Sequence, residues 1–231
     1  MTKYFGQQVM DFTRQLKPDW KIPKDVHLLF PYEQADTLSS MEAFYQQYYA
    51  DDNPRIFLFG INPGRFGAGI TGVPFTDPIR LEEICGINNG FHKKAELSSI
   101  FVYEFIAAYG GAEAFYKQFY ITSVSPLGFT KNGKNWNYYD EKPLQKSVEP
   151  HIIDNINTQK AFGTTDQVAI CMGQGQNFKY LQQLNTQHHF FEEILPVPHP
   201  RWVMQYRRKR KEEFIQVYLD AFTKAIELSS F

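Results

Sequence analysis

The chain has 231 residues, a formal net charge of -1, 43% hydrophobic and 16% aromatic residues, and two cysteines. This composition supports a sizeable core and excludes a disordered chain, while the near-neutral charge confines any nucleic-acid surface to a local patch. Cys85 and Cys171 are too few for a four-thiolate zinc or iron–sulfur site and read as small buried apolar residues.

Met1 to Gly6 lacks the long apolar segment of a signal peptide, and no run approaches the ~20 residues of a membrane span. A cytoplasmic chain with no membrane, metal or cofactor is expected. Val9, Phe12 and Leu16 recur at helical spacing before Pro18 and Pro23 interrupt. A second helix is expected from about Ser40, with Ser39 and Glu42 spaced as a capping box. Residues 1–50 thus read as a helical extension of one domain spanning 1–231.

The apolar run Arg55 to Ile61 reads as the first buried strand, followed by a loop rich in glycine from Gly60 to Phe75. Leu97 to Tyr109 reads as a helix closed by Gly110-Gly111, and Phe119 to Val124 as the next strand. The polar segment Lys131 to Asn137 has neither helical nor strand period. A helix is expected from Pro143 to about Asn157, a strand at Val168–Gly173, and a helix through Phe178, Leu181 and Leu184. Ile194–Pro198 is a fourth extended segment, and a long helix runs from about Gln205 to Leu228.

Strands alternating with helices predict an α/β fold whose mostly parallel sheet is covered on both faces. Three polar segments then follow the carboxyl ends of three strands, around Asn62, Asn135 and His199. Ligand sites of such sheets lie at that rim.

Asn-Pro-Gly alone is ordinary turn chemistry, but a turn has no need of the whole stretch from Gly60 to Phe75. Nor does its spacing match a Walker loop or the dinucleotide fingerprint. Gly60-Ile61-Asn62-Pro63-Gly64-Arg65-Phe66-Gly67, continued by Thr71-Gly72-Val73-Pro74-Phe75, resembles the first active-site motif of the single-strand-selective monofunctional uracil-DNA glycosylases, a branch of the uracil-DNA glycosylase superfamily. That motif has methionine where Ile61 stands and a second proline where Arg65 stands. The resemblance implies a three-layer α/β/α sandwich around a four-stranded sheet. It implies that Asn62 positions water and that Phe75 stacks on the flipped base. Ile61, Gly64 and Phe66 join Phe75 as substrate-binding residues.

His199-Pro200-Arg201 would otherwise read as a turn with a surface histidine; the family's second motif begins with His-Pro at this place. By resemblance, His199 hydrogen-bonds the uracil carbonyl as charge develops on the leaving base. The following segment, shorter than the family's, supplies the wedge that replaces the extruded base, with Trp202, Val203, Met204 and Tyr206 all eligible. Ser125-Pro126-Leu127 with Gly133-Lys134-Asn135 is similar to the family's base-reading segment. Asn135 would read uracil, its oxygen accepting from N3–H and its nitrogen donating to O4, with Asn137 in reserve.

Arg207-Arg208-Lys209-Arg210-Lys211 is expected to open the terminal helix, where cations oppose the macrodipole and so suit phosphate contacts better. Arg65, Lys134, Arg201, Trp202, Tyr206, Arg207, Arg208 and Arg210 form the expected DNA-binding set. Asp51-Asp52 and His188-His189 read as surface residues. The implied function is monofunctional hydrolysis of the uracil N-glycosidic bond in single-stranded and also double-stranded DNA, by a monomer. The alternatives are a mismatch-specific uracil/thymine glycosylase and a non-catalytic nucleic-acid-binding member of the fold.

Overall fold

The structure is a computed structural model describing residues 3–229; Met1, Thr2, Ser230 and Phe231, which the reading of the amino terminus and of the 1–231 domain included, lie outside the described residues. In chain order the elements are α1 (Phe5–Gln15), β1 (His27–Leu29), a 3-10 turn at Pro31–Glu33, α2 (Ala35–Tyr48) and β2 (Arg55–Gly60). Then come α3 (Ala68–Thr71), α4 (Pro78–Glu83), α5 (Leu97–Tyr109), α6 (Ala112–Gln118) and β3 (Phe119–Ser123). There follow β4 (Gly128–Lys131), β5 (Lys134–Trp136), α7 (Lys142–Lys160), β6 (Thr164–Met172) and α8 (Gln176–His188). The chain closes with β7 (Glu193–Val197), α9 (Pro200–Tyr206), a 3-10 turn at Arg208–Arg210 and α10 (Lys211–Leu228).

The central sheet has the order β3-β2-β6-β7, and each neighbouring pair is parallel. Ile56, Phe57, Leu58 and Phe59 are all fully buried, so β2 shows an unbroken apolar run rather than alternation. Successive residues of β3 point to opposite layers. Phe119 packs on Phe115 of α6 and Phe222 of α10, whereas Tyr120 meets Phe5 of α1 and donates to Gln159 of α7. That alternation makes the fold a three-layer α/β/α sandwich. Cys85 and Cys171 are buried free thiols.

At the amino end of β2, the buried Arg55 guanidinium donates to both Asp51 oxygens and to the carbonyls of Asn53 and Tyr116. Burial pushes the Asp51 carboxyl up, but the Arg55 hydrogen bonds and charge outweigh it and leave its pKa lowered. Asp51 is therefore the partner of a core arginine rather than a plain surface residue.

Several expected elements differ. Helix α2 begins at Ala35 with no side-chain cap, so Ser39 and Glu42 form no capping box. Its buried face starts with Thr37 and Ser40, polar residues that an apolar count omits; the Thr37 hydroxyl donates to the Ile70 carbonyl. The amino-terminal segment is not purely helical, because β1 joins β4 and β5 in a second, antiparallel sheet. The segment Lys131–Asn137, expected as irregular, forms the turn and second strand of that sheet's hairpin. Asn132 and Gly133 sit at its tip with φ of 50° and 69°, the left-handed pair that a two-residue hairpin turn requires. The short helix α6 was not foreseen.

The terminal helix is also broken, since α9 ends at Tyr206 and α10 begins only at Lys211. The basic run occupies the link between them, and the first turn of α10 carries Glu212 and Glu213, which suit the macrodipole.

Candidate active site

The loop after β2 is assembled by close backbone contacts. Val124 N donates to Gly60 O and Ser125 N to Ile61 O, which carries the β2–β3 ladder past the ends of the strands. Gly69 N donates to Gly64 O at 2.9 Å, and the chain closes into the single turn of α3. The Thr71 hydroxyl then donates to Thr76 O at 2.7 Å, across the Val73-Pro74-Phe75 corner. Phe75 itself adopts φ 53°, a left-handed conformation that a bulky side chain rarely takes. Such strain persists where surrounding contacts over-determine it, and functional sites are where it gathers. A Cβ on Gly60 would come within 2.7 Å of the Phe75 ring, so glycine there lets the ring lie on the strand end.

The Asn62 amide is tied to the hairpin end. Its Nδ2 donates to Trp136 O at 3.2 Å and Pro63 O at 3.3 Å, and its Oδ1 accepts from Tyr138 N at 3.1 Å. One lone pair of Oδ1 is left over. The hairpin is fixed in turn by Glu141, which accepts from Lys131 Nζ and Trp136 Nε1.

His199 is the amino-terminal cap of α9, with Pro200 in the first helical position. Its Nδ1 accepts from Arg201 N at 3.2 Å, so the neutral ring carries its proton on Nε2. Burial, with the Arg201 charge adding to it, pulls its pKa down to about 4 and keeps the ring neutral at pH 7. The His199 and Phe75 ring centres lie 6.1 Å apart.

These groups meet in one cleft of about 630 Å³. Asn62 and His199 line it, as do Ile61, Gly64, Phe66, Phe75 and Asn135. Of the basic and aromatic set, Arg65, Lys134, Arg201, Trp202 and Tyr206 also border it. Arg207, Arg208 and Arg210 do not. Arg207 lies over the Trp202 ring at 5.1 Å, Arg210 pairs with Glu213, and Lys211 pairs with Glu104. Of the four wedge candidates, Val203 and Met204 are buried, whereas Trp202 and Tyr206 are 40% and 59% exposed.

Asn135 sits differently from the sequence expectation. Its Oδ1 accepts from both Arg65 N and Arg65 Nε, each at 3.1 Å, so the oxygen is already occupied. Asn137, also in the cleft, donates from Nδ2 to Asp140.

Among the described residues, the one carboxyl that lines the cleft was not foreseen. The Glu96 carboxyl is half-buried at the start of α5, and its Oε2 lies so near Gly67 that a Cβ there would stand 2.1 Å from it. Burial and the Asp77 charge push its pKa up to about 7, against the pull of Arg201. No motif marks it: Glu96 is about thirty residues downstream of the loop it touches, and only the fold brings them together.

Among the described residues no cluster of His, Cys, Asp and Glu could hold a metal ion, and no helix is long and apolar enough to cross a membrane.

Comparison with curated proteins gives no match. Among solved structures, the crystal structure of wild-type SMUG2 from Pedobacter heparinus matches with a TM-score of 0.94 and 44% identity, covering 96% of this chain and 98% of that one. A family model described as the uracil DNA glycosylase superfamily matches residues 46–223. With most of its length matched by that family and its fold shared with SMUG2, the chain belongs to the uracil DNA glycosylase superfamily.

Proposed function

We propose that the cleft carries out the superfamily's uracil excision with Asn62 and His199 at the scissile bond and Phe75 and Asn135 on the base. A uracil must leave its strand before such a cleft can hold it. Phe75 then offers a stacking face worth about 1–3 kcal/mol. Asn135 directs an amide donor to a base carbonyl, which uracil supplies at O4 and cytosine replaces with an amine. Unmatched buried polar groups of that kind cost about 1–3 kcal/mol each.

The C1′–N1 bond breaks with its electron pair departing on the base. Water adds its oxygen to C1′ and releases a proton, leaving free uracil and an abasic site. The Nε2–H of neutral His199, with backbone amides of the Asn62 loop, stabilises the charge developing on the leaving base. An amide does not titrate near neutrality, so Asn62 orients the water through its remaining lone pair and does not act as a strong base. No lysine nucleophile is involved, and the strand stays uncut.

Trp202 and Tyr206 are the residues we assign to the gap left by the extruded base. Lys134 and Arg201 take the flanking phosphates, with Arg208 extending the basic track outside the cleft. The proposed substrate is uracil in single-stranded DNA, with double-stranded DNA also accepted, and the enzyme acts in the cytoplasm as a monomer of one domain.

The observation that supports this reading is the convergence of Asn62, Phe75, Asn135 and His199 on one cleft. The test is release of free uracil from a single-stranded uracil oligonucleotide. His199→Ala and Asn62→Ala are each expected to fall to roughly 1% of the parent rate or less. A near-parental rate in either variant removes that residue from the chemistry.

A further inference from the structure

Arg65 stands where the similar motif has proline, and its contacts are not those of a residue reaching for phosphate. Its backbone N–H and its Nε–H both donate to Asn135 Oδ1, each at 3.1 Å. Its guanidinium is steadied by the Phe66 ring, 4.9 Å from the ring centre. An amide oxygen has two lone pairs, and both are occupied here.

The amide nitrogen lies over Gly64. A Cβ on that glycine would meet Asn135 Nδ2 at 3.2 Å and Glu96 Oε1 at 3.5 Å. The amide oxygen is therefore held by the Arg65 backbone and guanidinium, while the amide nitrogen and a Glu96 oxygen both face Gly64. This matters because asparagine is nearly symmetric in shape. Turned about its last torsion, it exchanges an acceptor for a donor in almost the same place. A free asparagine could accept from the amine of cytosine as readily as it donates to the carbonyl of uracil.

We propose that Arg65 is a positioning residue that locks the Asn135 amide with its nitrogen toward the cleft, so that the pocket meets the base with donor hydrogens and admits a carbonyl while refusing an exocyclic amine. This rests on the reading of Asn135 as the residue that contacts the base. It also replaces the expectation that Arg65 binds DNA directly.

The test is kcat/KM for uracil release from a single-stranded oligonucleotide at two salt concentrations, alongside affinity for the same strand without uracil. The proteins are the parent, Arg65→Ala, Arg65→Lys, Asn135→Ala, Asn135→Asp and the Arg65→Ala/Asn135→Ala double variant, each checked for an unchanged thermal midpoint. The lock predicts a loss of roughly tenfold in both Arg65 variants, because lysine keeps the charge but has no Nε donor. It predicts less than a twofold further loss when Arg65→Ala is added to Asn135→Ala, since a lock has no effect without its bolt.

Asn135→Asp should be slower than Asn135→Ala, because Arg65 would hold one carboxylate oxygen and the other would face the base carbonyl. The lock is overturned if Arg65→Lys keeps the parental rate, or if the Arg65 loss is additive and follows salt and strand affinity, which is the behaviour of a phosphate contact. An Asn135→Asp protein as active as the parent overturns the donor assignment. If Asn135→Ala alone leaves uracil release intact, the base-reading role of Asn135 fails, an outcome distinct from failure of the lock.

Discussion

The two ends of strand β2 place polar groups in opposite circumstances. At the amino end, the guanidinium of Arg55 is fully buried and meets Asp51, two backbone carbonyls and the faces of Phe5 and Tyr49. At the carboxyl end, seven residues on, Asn62 keeps a spare lone pair, and among the described residues no hydrogen bond reaches the Glu96 carboxyl or the His199 Nε2. One end is closed by satisfaction and the other is kept ready by incompleteness. A single strand therefore separates stability from function, and the contrast can be tested residue by residue.

The largest effect is expected at the closed end. Asp51→Ala leaves the Arg55 charge buried without its carboxylate, which costs about 3 kcal/mol, the low end for a buried pair because Asp51 is partly exposed and Arg55 keeps two carbonyl acceptors. For a chain of this size that lowers Tm by roughly 6–12 °C, while uracil release by the folded fraction stays parental. A calorimetric scan paired with the release assay checks both halves, and a large rate loss at full folding would break the separation. The Asp51 pKa is lowered, so its contribution is present above about pH 4, the unfolded carboxylate range, and is lost as pH falls below it.

His199→Ala should do the reverse. Removing one donor to a developing anion costs about 10²–10³ in kcat, and Tm should change little because the ring makes a single cap bond.

Phe75→Ala comes next, losing the stacking face at about 1–3 kcal/mol in kcat/KM. Phe75→Gly should lose as much activity yet melt higher than Phe75→Ala, since glycine accepts φ 53° without strain. Equal melting of the two variants would show that the corner carries no strain.

The smallest expected effect is in pH dependence. The His199 pKa is depressed from 6.5 to about 4, so its neutral form contributes stability that is present above pH 6.5 and lost as pH falls toward 4. The Glu96 pKa is raised from 4.5 to about 7, so its contribution is present below pH 4.5 and lost as pH rises through 7. The two slopes oppose each other between about 4.5 and 6.5. In Glu96→Gln, melting temperature should climb with pH across that window; in His199→Gln it should fall. Parallel profiles for the two variants would contradict the assigned shifts.

What the sequence made legible follows from where the physics is local. The buried strands announce themselves because both faces are covered, and the Asn62 loop because Gly60 must clear the Phe75 ring. The split between α9 and α10 left no such mark, since Arg207, where the helical backbone breaks with φ -133°, is neither glycine nor proline. Asn132-Gly133 did carry a hairpin signal, hidden by the polar residues on either side. The Arg65–Asn135 contact spans 70 positions, and Glu96 reaches its glycines only through the fold. The basic run was visible as charge, but its pairing with Glu213 and Glu104 was not.

The bonds from Asn62 to Trp136 O and Tyr138 N bear on how this site could be moved or rebuilt. The motif loop does not aim its own asparagine; a hairpin more than seventy residues away does so, and that hairpin leans on β1 from the amino-terminal segment. Transplanting Gly60 to Phe75 onto another parallel sheet would carry the recognisable letters and lose their direction. The smallest portable unit is the loop together with the three-stranded sheet beside it, a piece of architecture rather than a motif.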